Sequence, residues 1–131
     1  MKKSKKEIGK LGEDVAAKFL KKNKYKLLGR NLRFSHNELD IVAISKKQRL
    51  ISFIEVKTRS VDDDLYSRFG TPASAVDNKK QARTIKAARD FLYHNKKYQS
   101  FQPRFDVIEI YLGKENLEIL KINFIENAFG V

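Results

Sequence analysis

Two apolar stretches, "NELDIVAIS" and "RLISFIEVKTR", lie on either side of the polar break "KKQ" and constrain the fold more than any other feature of the chain. Each is rich in Ile, Val, Leu and Phe and too short for a helix, so each reads as a strand, and the break suits a hairpin. Side chains alternate between the faces of a strand. Leu39, Ile41, Ile54 and Val56 therefore fall on one face, and Val42, Ile44 and Phe53 on the other. Both faces are apolar, as in strands covered on two sides.

Charge enters this pair at one end. A four-residue turn "KKQR" sets Ser45 opposite Leu50, which puts Asp40 opposite Glu55 and Glu38 opposite Lys57, all four on one face. Facing Cβ atoms in an antiparallel pair are about 5 Å apart, and like charges there are destabilising. Buried carboxylates are costly unless they are paired or bind a metal. The residues alone leave two readings open: a divalent-cation site, or a closed salt-bridge cluster in which Lys57 neutralises one carboxylate. Both depend on the register, because a slip of one residue sends the carboxylates to opposite faces.

The rest of the chain supplies layers for such a sheet. Ile8, Leu11, Val15 and Phe19 recur at helical spacing and predict a helix from about Lys5 to Asn23. Gly9 and Gly12 inside it point to the close approach of another backbone, and Glu13, at the edge of the apolar stripe, is placed to reach across a close helix contact. "YKLLGRNLRF" reads as a further strand. Residues 60–72 read as a mobile loop, with Asp62, Asp63 and Asp64 at a solvated tip. A second helix fits Ala75 to Asn95, with Ala82, Ile85, Ala88 and Leu92 inward. "RFDVIEIYL" and "LEILKI" read as two last strands joined by a turn at Gly113 to Asn116, and Asp106 reads as structural.

Length and charge bound the function. At 131 residues the chain reads as one domain, 1–131, with residues 1–6 a basic and flexible arm. The start "MKKSKK" is not followed by an apolar run and no stretch spans a bilayer, so a soluble, cytoplasmic protein with no membrane partner is expected. There is no cysteine, and His36 and His94 are far apart, which argues against disulfides and zinc. A working metal would have hard carboxylate ligands, favouring Mg²⁺. Lys and Arg outnumber Asp and Glu 28 to 16, a formal charge of +12. Such an excess draws polyanions, nucleic acid first, with a solvated basic surface or a lipid-binding arm as the plainer alternatives.

An acid on one strand and Glu-x-Lys on the next resembles the signature of the restriction-endonuclease-like nucleases, the PD-(D/E)XK superfamily. Of the eight glutamates only Glu55 has lysine two places on. "GKLGEDVAAKFL", "GRNLR", "ELDIVA", "FIEVKTRS", "FGTPASAV", "KKQARTIKAARDFL" and "RFDVIEI" stand in an order similar to the YraN family of small bacterial proteins. That family is described as predicted endonucleases distantly related to archaeal Holliday junction resolvases. The family usually has glycine before the glutamate of "GE(I/L)D", where this chain has Asn37, a residue that tolerates left-handed backbone.

The resemblance implies an α/β fold, a central mixed sheet of about five strands flanked by helices. It implies Asp40 and Glu55 as Mg²⁺ ligands, with Mn²⁺ as a substitute, Lys57 beside the attacking water, and Glu13 as the acid on the first helix. Gln81 is a further candidate to hydrogen-bond the water or a carboxylate, the alternative being a boundary glutamine that reaches solvent. Glu38 reads as an outer acid or as the partner of Lys57. Arg59, Arg68, Lys79, Lys80, Arg83 and Lys86 flank the site and are placed to hold phosphates without reading bases. The expected function is Mg²⁺-dependent phosphodiester hydrolysis by a structure-selective DNA endonuclease, and the resemblance implies a resolvase-like homodimer. The alternative is a nucleic-acid-binding protein of the same fold that does not cut.

Overall fold

The computed structural model describes residues 3–61 and 77–130. In chain order these are α1 (Lys5–Lys22), β1 (Lys26–Phe34), β2 (Asn37–Ser45), β3 (Leu50–Val61), α2 (Asn78–His94), a short 3₁₀ turn (Lys96–Tyr98), β4 (Gln102–Gly113) and β5 (Ile119–Phe129). The strands form one sheet in the order β1-β2-β3-β4-β5. Neighbours are antiparallel except β3 and β4, which are parallel, so the sheet is mixed. Parallel neighbours need a crossover, and α2 lies within it.

The helices cover opposite faces. α1 packs through Ala16 and Leu20 on Ile41, Ala43, Ile54, Ile108 and Ile110; α2 packs through Ala87, Ala88 and Phe91 on Val42, Ile44, Ile51 and Phe53. This accounts for the two apolar faces of β2 and β3. It is an α/β fold of the restriction-endonuclease-like kind, with a central mixed sheet flanked by helices.

Both helices are turned relative to their expected stripes. In α1 the buried residues are Gly12, Ala16, Ala17 and Leu20, while Ile8, Leu11, Val15 and Phe19 are partly buried around them. The small residues let the helix settle close to β3: a Cβ on Gly12 would lie 1.8 Å from the Thr58 hydroxyl oxygen. The close neighbour is thus a side chain, not a backbone. Gly9 has no such neighbour, since nothing lies within 4 Å of a Cβ there. In α2 the buried residues are Thr84, Ala87, Ala88 and Phe91, and Ala82 is exposed; packing of the Phe91 ring against Phe34 and Phe53 sets that rotation.

The hairpin register is the one the turn demands, with Ser45 opposite Leu50 and Ile41 opposite Ile54. Pairing then stops, so Asp40 and Glu55 lie just past the last rung and Glu38 does not face Lys57. Leu39 also changes side, packing with Val42 and Phe53 rather than with Ile41. Beside it on β1, Asn31 is left-handed (φ 52°), a local break in the regular alternation. In the β1–β2 turn the left-handed residue is Ser35 (φ 58°), not Asn37, so glycine's freedom is not required at position 37. β5 begins two residues later than expected and runs on to Phe129, because Phe105 at the other end of β4 pairs there. Lys5 and Lys6, expected in a basic arm, form the first turn of α1 behind a Ser4 capping box.

Candidate active site

The site lies where β2 and β3 part. Beyond Ile41 the ladder is continued by a side chain: Asp40 Oδ2 accepts the Val56 backbone N–H at 2.9 Å. The carboxyl group thereby occupies the gap between the strands. Glu55 is buried on the neighbouring strand, and its Oε1 lies 3.4 Å from Lys57 Nζ and 3.3 Å from Lys80 Nζ. Lys80 is delivered by α2, whose N-cap Asp77 accepts the Lys80 backbone N–H at 2.7 Å and fixes the first turn.

Asp40 carries the electrostatic strain of this arrangement. Burial, then the neighbouring Glu55 charge, push its pKa from an ordinary 3.8 up to about 7, against the Val56 N–H and the Lys80 charge, and a side-chain hydrogen bond with Glu55 adds to the rise. Asp40 and Glu55 are therefore close enough for each to act on the other's charge, with Lys57 beside Glu55. Both open readings keep a footing. Glu55 is paired with ammonium groups, as a salt-bridge cluster requires, while Asp40 has a backbone N–H as its donor and a raised pKa, as a site built for a cation would.

The other candidates are distributed around this pair. Glu13 is mostly buried and reaches β1 rather than another helix, accepting from Arg30 Nε at 3.0 Å and Asn31 Nδ2 at 2.8 Å. It lines the same cleft as Asp40, a volume of about 860 Å³ between α1 and the end of the sheet. Glu38 also borders the cleft, but its partner is Arg33 across the β1–β2 pair, at 3.8 Å, since the parting of β2 from β3 carries it away from Lys57. Gln81 is half-buried on the turn of α2 that bears Lys80. Lys79, Arg83 and Lys86 are exposed on α2. Lys80, expected with them as a phosphate contact, instead meets Glu55, because the rotation of α2 turns it inward. Arg68, the Asp62 to Asp64 run and most of the expected 60–72 loop lie outside the described residues.

Two residues escape a reading of the sequence. One is Lys80 as a neighbour of Glu55, with no local signal. The other is Glu109, 1% exposed on β4, where it pairs in register with Lys57, accepts from Arg59 Nε at 3.2 Å and takes the Tyr111 hydroxyl. A lone acid inside the apolar run "DVIEIYL" was the available signal.

The donor set suits a hard cation. Among the described residues no three His, Cys, Asp or Glu side chains converge on one point, so at this place the described residues offer the two carboxyls of Asp40 and Glu55. Mg²⁺ is usually held by one or two carboxylates, keeping several waters and meeting substrate phosphates.

A mixed sheet between helices, with an acid and Glu-x-Lys at the parted ends of two strands, defines the class of restriction-endonuclease-like proteins. Within it the chain belongs to UPF0102, also called YraN, a family that resembles the PD-(D/E)XK superfamily. The model of that family, described as "Uncharacterised protein family UPF0102", matches residues 12–110. A UPF0102 protein of Clostridium perfringens is 44% identical over 131 residues, 100% of both chains. Another from Caldanaerobacter subterraneus subsp. tengcongensis is 42% identical over 126 residues, 96% of this chain and 97% of its own. One from Chloroherpeton thalassium is 42% identical, covering 93% of this chain and 92% of its own. The family relation is to a nuclease-like fold. Among the described residues no helix is long and apolar enough to cross a membrane.

Proposed function

We propose that the chain is a Mg²⁺-dependent phosphodiesterase, a structure-selective DNA endonuclease of the cytoplasm that also works with Mn²⁺. The observation that carries this reading is the placing of Asp40 and Glu55 side by side at the parted strand ends, Asp40 bonded to the Val56 N–H and Glu55 beside the ammonium groups of Lys57 and Lys80. A bound Mg²⁺ supplies a lowered water pKa and a positive charge on a phosphoryl oxygen. Asp40 and Glu55 are the residues that would hold that cation, through their carboxylate oxygens. Lys57 orients the attacking water and offsets the negative charge that develops on the phosphate. Lys80, equally near Glu55, shares that work. Glu13 acts from the cleft wall, where Arg30 and Asn31 fix it, and Gln81 hydrogen-bonds the water or a carboxylate. Lys79, Arg83 and Lys86 hold phosphates on the α2 side without reading bases.

Flapped, branched and single-stranded DNA incubated with Mg²⁺ or Mn²⁺ provide the test. Wild-type protein is expected to cut in a metal-dependent way, and Asp40→Ala and Lys57→Ala to lose about 10²-fold or more in rate while still binding. No cutting of any substrate, or full cutting by both variants, overturns the proposal. The pairing of Glu55 with two lysines favours one second reading, a nucleic-acid-binding protein that does not cut. Binding by all three proteins with no cleavage by any is its signature.

A further inference from the structure

Charge is divided unevenly along the strands. The candidate site lies at one end of the sheet, with Glu13, Glu38, Asp40 and Glu55 around it. The other end is formed where α1 runs into β1, where β2 turns to β3, where α2 leads through the 3₁₀ turn to β4, and where β5 finishes. Those segments are basic. Lys21, Lys22 and Lys24 close α1, Lys46, Lys47 and Arg49 make up most of the β2–β3 turn, and Lys96 and Lys97 open the 3₁₀ turn, all of them exposed. None of these cations forms an ion pair with a described residue, and the one acid among the described residues of the same segments, Glu126, is taken by Arg104 at 3.0 Å.

Ordinary structural needs explain part of this basic end. Cations at a helix C-terminus are stabilising, which accounts for Lys21 and Lys22, but the β2–β3 turn ends no helix. Two of the cations also stand where the backbone suits another residue. Lys24, at the position beyond the α1 cap where glycine is commonest, and Arg49 in the turn are both left-handed, with φ 68° and 52°. Arg49 is further held in place, donating to the Ser100 hydroxyl at 3.1 Å with its guanidinium 5.1 Å from the centre of the Phe101 ring.

The same surface narrows its partner. A bilayer or a protein is met through exposed apolar side chains as well as charge, and the large apolar side chains exposed among the described residues are Tyr93 and Ile119. Ile119 begins β5 at the opposite end, which leaves one ring. A single strand of nucleic acid stacks successive bases on open rings, but Tyr98 and Phe101 are half-buried, with Lys97 and Arg49 lying over them. Phosphates remain, and a duplex presents them without exposing its bases.

We propose that this end of the sheet is a docking surface for the backbone of a DNA duplex, gripped by the end of α1, the β2–β3 turn and the 3₁₀ turn. It begins at Leu50, which at about 3.3 Å per residue along β3 is about 17 Å from Glu55. The segment of duplex held there is not the one at the site. The choice of DNA rests on the nuclease reading, while the surface itself goes beyond it.

Binding measured apart from cutting tests the surface. The full chain in EDTA is titrated into a dye-labelled DNA duplex over a salt series, beside Lys24→Gly/Lys46→Ala/Lys47→Ala and a control, Lys5→Ala/Lys6→Ala/Lys114→Ala, that removes equal charge at the site's end. The first variant is expected to bind about tenfold more weakly and to lower the salt slope by about 2.7, three phosphate contacts at about 0.9 each. Its melting temperature is expected to be unchanged or higher, because glycine relieves the left-handed position of Lys24. The control is expected to keep most of the affinity. Equal losses in the two variants, or full affinity in the first, overturn the docking surface, and so does wild-type protein that binds no duplex even at low salt. Loss of binding to phosphatidylserine vesicles in the first variant, with duplex binding intact, overturns it in favour of lipid. The expected binding pattern in a protein that cuts no DNA with Mg²⁺ leaves the surface standing and removes the nuclease reading.

Discussion

Asp106 on β4 and Asp40 on β2 are both drawn out of water at the sheet, yet their surroundings differ in kind. Asp106 is 0% exposed; it accepts from Arg104 Nε at 2.8 and 2.9 Å, from the Asn127 backbone N–H at 2.7 Å and from the Ser52 hydroxyl. Arg104 in turn meets the Tyr25 hydroxyl and Glu126. Burial works against the Arg104 charge, but the bonds to Asp106 and Tyr25 outweigh it and raise its pKa. Asp40 has one backbone donor, a second carboxyl against it and a cleft in front. The first aspartate completes a closed cluster that holds the sheet. The second is left short of positive charge at an open edge, which makes it the candidate for function of the two.

That comparison breaks most readily at Arg104. Arg104→Met keeps the bulk and leaves a fully buried carboxylate without its cation, and is expected to cost about 3–5 kcal/mol in denaturant unfolding. A loss under 1 kcal/mol would mean the cluster is not closed in solution.

A smaller effect of opposite sign is expected at the other aspartate. In EDTA, Asp40 has a folded-state pKa raised to about 7 from 3.8, so the folded protein binds the extra proton and stability is lost as pH rises through that window. Asp40→Asn keeps an acceptor for Val56 and removes the titration. It is expected to match wild type near pH 4 and to melt higher near pH 8, while abolishing cleavage. Parallel stability curves for the two proteins across that range would show that Asp40 is not strained.

How much of this was legible beforehand follows from what each feature depends on. The meeting of Asp40 and Glu55 could be read because it needs only local information: alternation along two strands and a short turn that fixes Ser45 against Leu50. The extent of pairing could not, since the hairpin parts after Ile41 where neighbouring β1 turns left-handed at Asn31. That parting sends Glu38 to Arg33. Helix rotation was equally out of reach. The spacing puts Ala82, Ile85, Ala88 and Leu92 on the apolar stripe of α2, but Phe91 takes the core position, and the same turn of the helix brings Lys80 to Glu55. Glu109 and Arg59 are 50 residues apart, and only the parallel β3–β4 register brings them together.

The central claim, that Asp40 and Glu55 share one cation, is tested most directly by adding substoichiometric Mn²⁺ to ¹⁵N-labelled protein and following which amide signals broaden. The signals of Ile41, Glu55, Val56 and Lys57 are expected to broaden first, and to be spared in Asp40→Asn. Broadening that begins elsewhere, or that persists unchanged in Asp40→Asn, would contradict the account.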